Sequence, residues 1–356
     1  FYNILMVRNK NLCYNVPSAK EKQATRSGIC FSCTGNEQTF GESRTGSAES
    51  AGLRVMLSKR KNKRKRKTVD TQIIQVKEQH TQEALLRRAG EIVRAGGLVA
   101  FPTETVYGLG GDALNPDSAR KIYAAKGRPS DNPLIVHICR MEDLPYIVRE
   151  IPEAAEKLAE AFWPGPLTMI FHKSPAVPPE TTGGLATVAV RMPSHKAALA
   201  FIREAGGYVA APSANRSGKP SPTSAKYVAE DMDGRIEMII DGGDVEIGLE
   251  STIVDLTEEY PVILRPGYIT KEMLEEVVGF VREDGTMMSD ESGQTPKAPG
   301  MKYRHYAPKG TLVIVDGSEE KVTAYINEQL ERLKGEGHRT GVIGTDKTIA
   351  RYRGDI

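Results

Sequence analysis

The chain has 356 residues, 39% of them hydrophobic, and its 48 Lys and Arg residues nearly balance 46 Asp and Glu residues. Domains contain roughly 100–200 residues, so this length allows more than one, and the composition excludes a disordered, collagenous or disulfide-rich protein. No apolar run approaches the roughly 20 residues that a membrane-spanning helix needs, and the residues after Phe1 lack a signal-peptide pattern, so we expect a soluble protein.

The first 68 residues show no sustained helical or strand period and are rich in Ser, Gly, Asn, Thr and Lys. We expect residues 1–68 to form a disordered or non-native extension. Residues 59–67 contain eight basic residues, and removing them from the net charge of +2 leaves the rest of the chain at −6. This basic run is compatible with an arm on RNA phosphates, but we favour a solvated tail.

Cysteine is sparse in this sequence. Cys139 is the only cysteine after Cys33, so the patterned part of the chain cannot form an internal disulfide, which favours a reducing, cytoplasmic location. Cys30 and Cys33 have the spacing of a metal or redox motif. Because no second pair accompanies them, we interpret this spacing as chance.

Alternating helical and strand patterns begin near Thr81 and predict one domain over residues 69–283. Asn115 and Pro116 are typical of the N-cap and first residue of a helix, which Gly127 ends. Helices are predicted near 84–93, 115–125, 152–162, 195–205, 222–231 and 270–280, and strands near 98–101, 134–138, 167–171, 187–191, 208–211, 237–240, 252–256 and 262–264. The glycines at 108, 110 and 111 resemble a glycine-rich turn. The alternation indicates an α/β fold with an open sheet flanked by helices.

The periodicity lapses after residue 283, where Gly, Ser and Pro predict a linker over residues 284–309. A second α/β unit follows over residues 310–356, with a strand at 311–315, a helix at 319–333 and a strand at 340–343. This unit is too short for a doubly wound sheet, so we expect a partial domain.

Polar side chains follow the ends of several predicted strands, which is where open α/β sheets bind their ligands. The set comprises Thr103, Glu104, Thr105, Lys126, Arg128, Asn132, His137, Thr187, Arg191, Ser213, Asn215, Ser221, Glu250, Ser251 and Arg265. Its cations can neutralise a polyphosphate or a carboxylate, and its hydroxyls can donate to phosphate oxygens. The sequence contains no P-loop, HExxH helix or GxSxG elbow. The pattern therefore favours a site that positions reactants and stabilises charge.

Each of these residues, taken alone, also has a structural explanation. Lys126 and Arg128 suit an ordinary helix C-terminus, where cations complement the helix dipole. His137 lies within an apolar strand, as a core histidine would. Ser221 suits the start of a helix, and residues 213–215 suit a turn. The pattern alone does not establish that these residues converge.

Seven segments, in their order, resemble the YrdC/Sua5 family. They are PTETVYGLGGDA from Pro102, KGRPSDNPLIVHI from Lys126, WPGPLT from Trp163, ATVAVRMP from Ala186, APSANRSGKPSPT from Ala211, ESTIVD from Glu250 and RPG from Arg265. The resemblance covers residues 73–281, includes the family's KxR and SxN signatures, and continues through KYRHYAP from Lys302 as in the two-domain Sua5 type. It implies a YrdC-like twisted open sheet flanked by helices, followed by a linker and an incomplete Rossmann-like α/β Sua5 domain.

The resemblance implies a nucleotidyltransferase, L-threonylcarbamoyladenylate synthase. Such an enzyme combines L-threonine, bicarbonate or CO2, and ATP with Mg2+, and releases pyrophosphate. The product passes to a tRNA threonylcarbamoyl transferase for the t6A modification of adenosine 37, and a weak tRNA contact is a further expectation. Two anions, a carbamate and a triphosphate, would have to meet, so cations are required to reduce their repulsion.

The family's pattern also implies roles for individual residues. Lys126 and Arg128 are implied as catalytic residues. The implied threonine-binding residues are Thr105, His137, Arg191 (on the carboxylate), Ala211 (through its backbone) and Ser251. The implied ATP-binding residues are Arg128, Asn132, Thr187, Ser213, Asn215, Ser221, Arg265 and Tyr303, the last in a lid that excludes water. Mg2+ is expected mainly through the ATP phosphates. The long leading tail and the short second domain depart from the pattern.

Three other functions compete with this one. The first is an RNA-binding module of YrdC-like fold without synthase activity, which the basic run favours. The second is carbamoyl transfer in hydrogenase maturation, whose proteins carry zinc-finger and acylphosphatase segments that this sequence lacks. The third is a relative that keeps the fold but not the activity, and the presence of both signatures argues against it.

Overall fold

The computed structural model describes residues 2–7, 69–76, 83–284, 311–345 and 347–355. The helices are α1 Glu83–Arg94, α2 Pro116–Lys126, α3 Leu144–Ile147, α4 Glu153–Phe162, α5 Lys196–Glu204, α6 Ala225–Met232, α7 Lys271–Val278 and α8 Glu319–Gly335. The strands are β1 Tyr2–Val7, β2 Gln72–Gln75, β3 Val99–Phe101, β4 Gly108–Asp112, β5 Ile135–His137, β6 Leu167–His172, β7 Thr187–Arg191, β8 Val209–Ala211, β9 Met238–Asp241, β10 Thr252–Asp255, β11 Val262–Arg265, β12 Arg282–Glu283, β13 Thr311–Val315 and β14 Arg339–Ile343. In the described part of the chain, every helix is too short or too polar to cross a bilayer.

Eleven strands form one mixed sheet in the order β12-β11-β10-β6-β7-β5-β8-β4-β3-β9-β2. Side chains alternate between the two faces of a strand. Val99 and Phe101 therefore belong to an apolar cluster with helices α1 and α5, while Ala100 belongs to the cluster on the other face, which includes residues of α2, α4, α6 and α7. Both faces thus carry helices, and the predicted α/β class is confirmed.

One part of the sheet has a different apolar cluster on the face that carries α1 and α5. Its members come from strands only: Ile135, Ile170, Ala189, Ile253, Val262 and Leu264. No described helix contributes a side chain to this cluster. The face beside it therefore offers room for a ligand.

Two predictions in this region are wrong. Residues 108–112 form strand β4 between β3 and β8, and the predicted glycine-rich turn is absent there. A Cβ atom at Gly110 would lie 2.9 Å from Val209 Cγ1 and 3.1 Å from Phe101 Cε1, so close strand packing explains this glycine. The helix predicted from residue 222 begins at Ala225, with Ser224 at its N-cap, so Ser221 does not open it.

A second sheet has three parallel strands in the order β13-β1-β14. Helix α8 packs Val322, Ile326 and Leu330 against Val342 of β14, as the predicted strand–helix–strand pattern requires. The prediction that residues 1–68 are disordered is wrong for residues 2–7, which form β1. Residues 8–68, with the basic run, and almost all of the predicted linker at 284–309 lie outside the described residues.

Candidate active site

A cavity of about 340 Å³ opens beside the strand-only cluster and is bordered by Ile135 of that cluster. Eight predicted site residues line it: Thr105, Arg128, His137, Arg191, Ala211, Ser213, Ser251 and Arg265. These residues come from segments that are far apart in the chain. The sequence groups them only by side-chain type, and the structure brings them together around one cavity.

His137 and Arg191 end the neighbouring parallel strands β5 and β7, where they occupy paired positions. The Arg191 side chain is buried and donates from Nη2 to Glu104 Oε1 (2.5 Å), from Nη1 to Thr105 Oγ1 (3.0 Å) and from Nε to the Gly165 carbonyl (3.3 Å). These bonds use three of the five N–H groups of a guanidinium and leave two for a ligand. Arg191 is therefore a fixed cation at the cavity wall.

The imidazole of His137 is buried next to this cation. Burial lowers its pKa to about 3, and the Arg191 guanidinium adds to the effect. Its Nδ1 lies 3.1 Å from the carbonyl oxygen of Ile135. At neutral pH the ring is uncharged, so it can form hydrogen bonds at the cavity but contributes no positive charge.

Ser251 and Arg265 form another part of the wall. The Arg265 Nη2 donates to Ser251 Oγ (3.1 Å) and to the Ser251 carbonyl (3.0 Å), and Thr168 Oγ1 lies 2.7 Å from the same Ser251 Oγ. Burial lowers the pKa of Arg265 to about 10; Glu250 opposes this shift, and the neighbouring arginines add to it. The guanidinium remains charged at neutral pH.

Arg128 lies just beyond the C-terminus of α2. Gly127 adopts the left-handed conformation (φ 64°) that ends this helix, which lets the chain turn toward the cavity. Arg128 Nη2 donates to the carbonyls of Asn132 (3.3 Å) and Pro133 (3.1 Å). These contacts hold the arginine against its own loop at the cavity.

Lys126 is not among the residues that line the cavity. It is buried, and its Nζ donates to the Ser213 carbonyl, to the Asn215 carbonyl (2.6 Å) and to Asn215 Oδ1 (3.4 Å). Its own carbonyl accepts from Ser217 N (2.9 Å). Burial is the main cause that lowers the pKa of Lys126, with Arg128 adding to it and Asp231 opposing it. Lys126 thus fastens the segment that carries Ser213.

The remaining predicted residues lie around the cavity without lining it. Asn215 accepts from Ser213 Oγ (2.5 Å) behind the wall, and Asn132 is buried with no hydrogen-bond partner for its Oδ1. Thr187 is on the same face as Arg191, but four residues away, which is roughly 13 Å along a strand. Ser221 reaches the site through Glu250, to whose Oε1 it donates (2.5 Å). Tyr303 lies outside the described residues.

Sequence reasoning gave no role to three residues of this site. Glu104 and Glu250 belong to the polar set at strand ends, but the family's pattern gave neither of them an individual role. Thr168 is buried inside β6 behind Ser251, and a threonine in an apolar strand gives no signal of its own. With three arginines against two carboxylates, the site carries a net positive charge that suits anionic ligands.

Comparison with known proteins agrees with this geometry. Residues 91–267 match the Sua5/YciO/YrdC family model, which is described as "Telomere recombination", and residues 269–355 match the model "Threonylcarbamoyl-AMP synthase, C-terminal domain". A threonylcarbamoyl-AMP synthase of Pyrococcus abyssi is 53% identical over 288 residues, 80% of this chain and 84% of the relative. The chain belongs to the Sua5/YrdC family.

A second relative and a solved structure support this assignment. A threonylcarbamoyl-AMP synthase of Bacillus subtilis is 50% identical over 276 residues, which are 77% of this chain and 78% of the relative. The crystal structure of P. abyssi Sua5 complexed with L-threonine superposes with a TM-score of 0.73 at 50% identity and covers 78% of this chain and 86% of that one. The predicted family and YrdC-like fold are confirmed.

Proposed function

We propose that this protein is an L-threonylcarbamoyladenylate synthase, which makes threonylcarbamoyl-AMP from L-threonine, bicarbonate or CO2, and ATP. Relatives of that name are 50% and 53% identical to it over more than three quarters of its length. The observation that carries the proposal is the cavity itself, which places a fixed, buried arginine and a neutral histidine in a fold whose P. abyssi member was solved with L-threonine.

The chemistry follows from the charges of the reactants. The threonine amine and bicarbonate give a carbamate with loss of water. A carbamate oxygen then forms a bond to the α-phosphorus of ATP, and the bond from that phosphorus to the bridging oxygen breaks, which releases pyrophosphate. Both reactants are anionic, so a site with an excess of guanidinium groups lowers the barrier by stabilising the charge as they approach.

We assign the substrate contacts by this logic. Arg191 holds the threonine carboxylate with its two remaining N–H groups, and Thr105, His137, Ser251 and the Ala211 backbone surround the amino acid. The proposed ATP contacts are Arg128, Asn132, Thr187, Ser213, Asn215, Ser221, Arg265 and Tyr303. For Lys126 we propose a positioning role, supported by its hydrogen bonds to the carbonyls that precede and follow Ala214.

The remaining parts of the proposal concern Mg2+ and the fate of the product. The polar side chains that line the cavity are mainly cations and hydroxyls. In the described ranges, no group of three or more His, Cys, Asp or Glu side chains is arranged to hold a metal ion. Such a donor set fits Mg2+ carried in on the ATP phosphates, where it would neutralise charge. We also propose a cytoplasmic location and transfer of the product to tRNA by a separate transferase.

The test is incubation with ATP, L-threonine and labelled bicarbonate. We expect pyrophosphate release that depends on both threonine and bicarbonate, and an adduct that contains threonine, carbonate and AMP. Binding of tRNA without binding of ATP would favour the RNA-binding alternative. Binding of ATP and threonine with no labelled adduct would indicate a relative that keeps the fold but lacks the activity.

A further inference from the structure

Glu104 is the most deeply buried carboxylate that contacts the wall of the cavity. It follows strand β3, and its side chain is only 5% exposed, as is that of its partner Arg191. Neither the sequence pattern nor the reaction chemistry gives this carboxylate a substrate to contact. A buried charge destabilises the folded protein unless it is paired and hydrogen-bonded. The buried Glu104–Arg191 ion pair is therefore explained by the parts of the site that it holds in place.

The two carboxylate oxygens of Glu104 hold two different parts of the site. Oε1 accepts from Arg191 Nη2 (2.5 Å), and Oε2 accepts from Ser194 N (3.1 Å) in the turn that leads from β7 to α5. The backbone carbonyl of Glu104 also accepts from Ile247 N (2.9 Å). One residue therefore fixes a guanidinium, the turn behind it and the segment that leads to Glu250.

The orientation of the guanidinium depends on these contacts. Its Nη2 bond to Glu104, its Nη1 bond to Thr105 and its Nε bond to Gly165 come from three different directions around one plane. Recognition of a carboxylate by arginine is bidentate and therefore sensitive to the orientation of that plane. Of the three acceptors, only Glu104 carries a charge, so its bond is the strongest of the set.

We propose that Glu104 is the positioning residue that gives the site its preference for a substrate with a free carboxylate. It acts through Arg191 and does not touch the substrate. This inference rests on the proposed function, because it assigns the carboxylate of L-threonine to Arg191. It predicts that loss of Glu104 removes the preference for the carboxylate rather than binding in general.

The experiment compares L-threonine with L-threonine amide, which lacks the carboxylate charge, by titration calorimetry on the full chain. For the native protein we expect threonine to bind about 100-fold more tightly, since two charge-assisted hydrogen bonds are each equivalent to about tenfold or more. For Glu104→Gln we expect the preference to fall below about tenfold, while the affinity for ATP changes less than about threefold.

A merely structural role gives a different result, because a loosened site would weaken threonine and its amide equally. An unchanged ratio in Glu104→Gln would therefore overturn the proposal. The control is Glu180→Gln, which breaks a surface contact with Arg120 and should leave the ratio at its native value. Circular dichroism checks that each variant is folded.

If Glu104→Gln does not fold, Glu104→Asp is measured instead, since it keeps the charge but is one methylene shorter. A preference reduced at least threefold supports the proposal, and a native preference contradicts it. A native protein that binds neither threonine nor its amide contradicts the proposed function itself. A native protein that binds both equally leaves the proposed function intact but contradicts the role of Arg191 and hence of Glu104.

Discussion

Lys126 and Arg128 are two residues apart, yet the structure uses them in different regions. Arg128 lines the cavity, whereas Lys126 is buried behind it and holds the carbonyls of Ser213 and Asn215. The same division recurs with Arg191 on the wall and Glu104 behind it. A short signature in the sequence thus combines a residue that lines the cavity with one that holds the wall in place.

The largest effect that would test this division is expected at Lys126. Lys126→Met leaves two carbonyl oxygens without their donor in a buried place, so we expect a loss of about 3 kcal/mol in the free energy of unfolding. Urea denaturation measures this loss. An unchanged unfolding midpoint with abolished activity would instead assign Lys126 to the chemistry.

Arg128 should show the opposite behaviour. For Arg128→Ala we expect a change in unfolding free energy within about 0.5 kcal/mol. We also expect a decrease in kcat/KM for pyrophosphate release of at least about 100-fold, the scale of losing one preorganised charge donor. The matched control is Arg120→Ala on the exposed face of α2, which should leave kcat/KM unchanged. Near-native turnover in Arg128→Ala would place this arginine with the supporting residues.

His137 sharpens the comparison because it lines the wall but is buried. Its pKa is lowered to about 3, so between pH 6.5 and pH 3 the unfolded chain binds a proton that the folded protein does not. The free energy of unfolding is therefore not reduced by this residue above pH 6.5. Between pH 6.5 and about pH 3 it decreases by about 1.4 kcal/mol for each pH unit. Chemical denaturation gives the free energy of unfolding at pH 7 and at pH 5. The difference between these two values should be about 2 kcal/mol smaller in His137→Gln than in the native protein. Equal pH dependence of the two proteins would contradict this reasoning.

The smallest expected effect is at Thr168, behind Ser251. Thr168→Val removes one buried hydroxyl partner of Ser251, so threonine affinity should decrease by about fivefold, equivalent to about 1 kcal/mol. Titration calorimetry measures the affinity. Thr323→Val, which removes an exposed hydroxyl on α8, serves as the control. A decrease in threonine affinity as large as that caused by replacing an arginine of the cavity wall would mean that Thr168 has more than a supporting role.

Much of the fold could be predicted because its elements are locally determined. The Asn115 cap and the Gly127 end of α2, the apolar strand at 187–191 and the helix at 319–333 follow from local pattern. Strand β4 was missed because its glycines reflect close contact with neighbouring strands, and β1 because it pairs with strands more than 300 residues later.

The candidate site was predicted by residue type but not by arrangement. Eight of the expected residues line one cavity because strand pairing brings positions such as His137 and Arg191 side by side. Whether a polar residue faces the cavity or lies behind it depends on tertiary contacts, as Lys126 illustrates. Glu104 was in the expected polar set but received no individual role, because its role depends on a partner 87 residues away.

The cavity has a consequence for how the molecule can be refolded. Its lining runs from Thr103 to Pro266, and the segments meet only after many distant strand pairs have formed. Contacts of this kind close late, because the entropy lost in closing long loops precedes any gain from pairing. Recovery of amino-acid binding therefore reports the completion of the whole sheet, and a proteolytic fragment that ends before Arg265 is a poor substitute for the intact chain in any binding measurement.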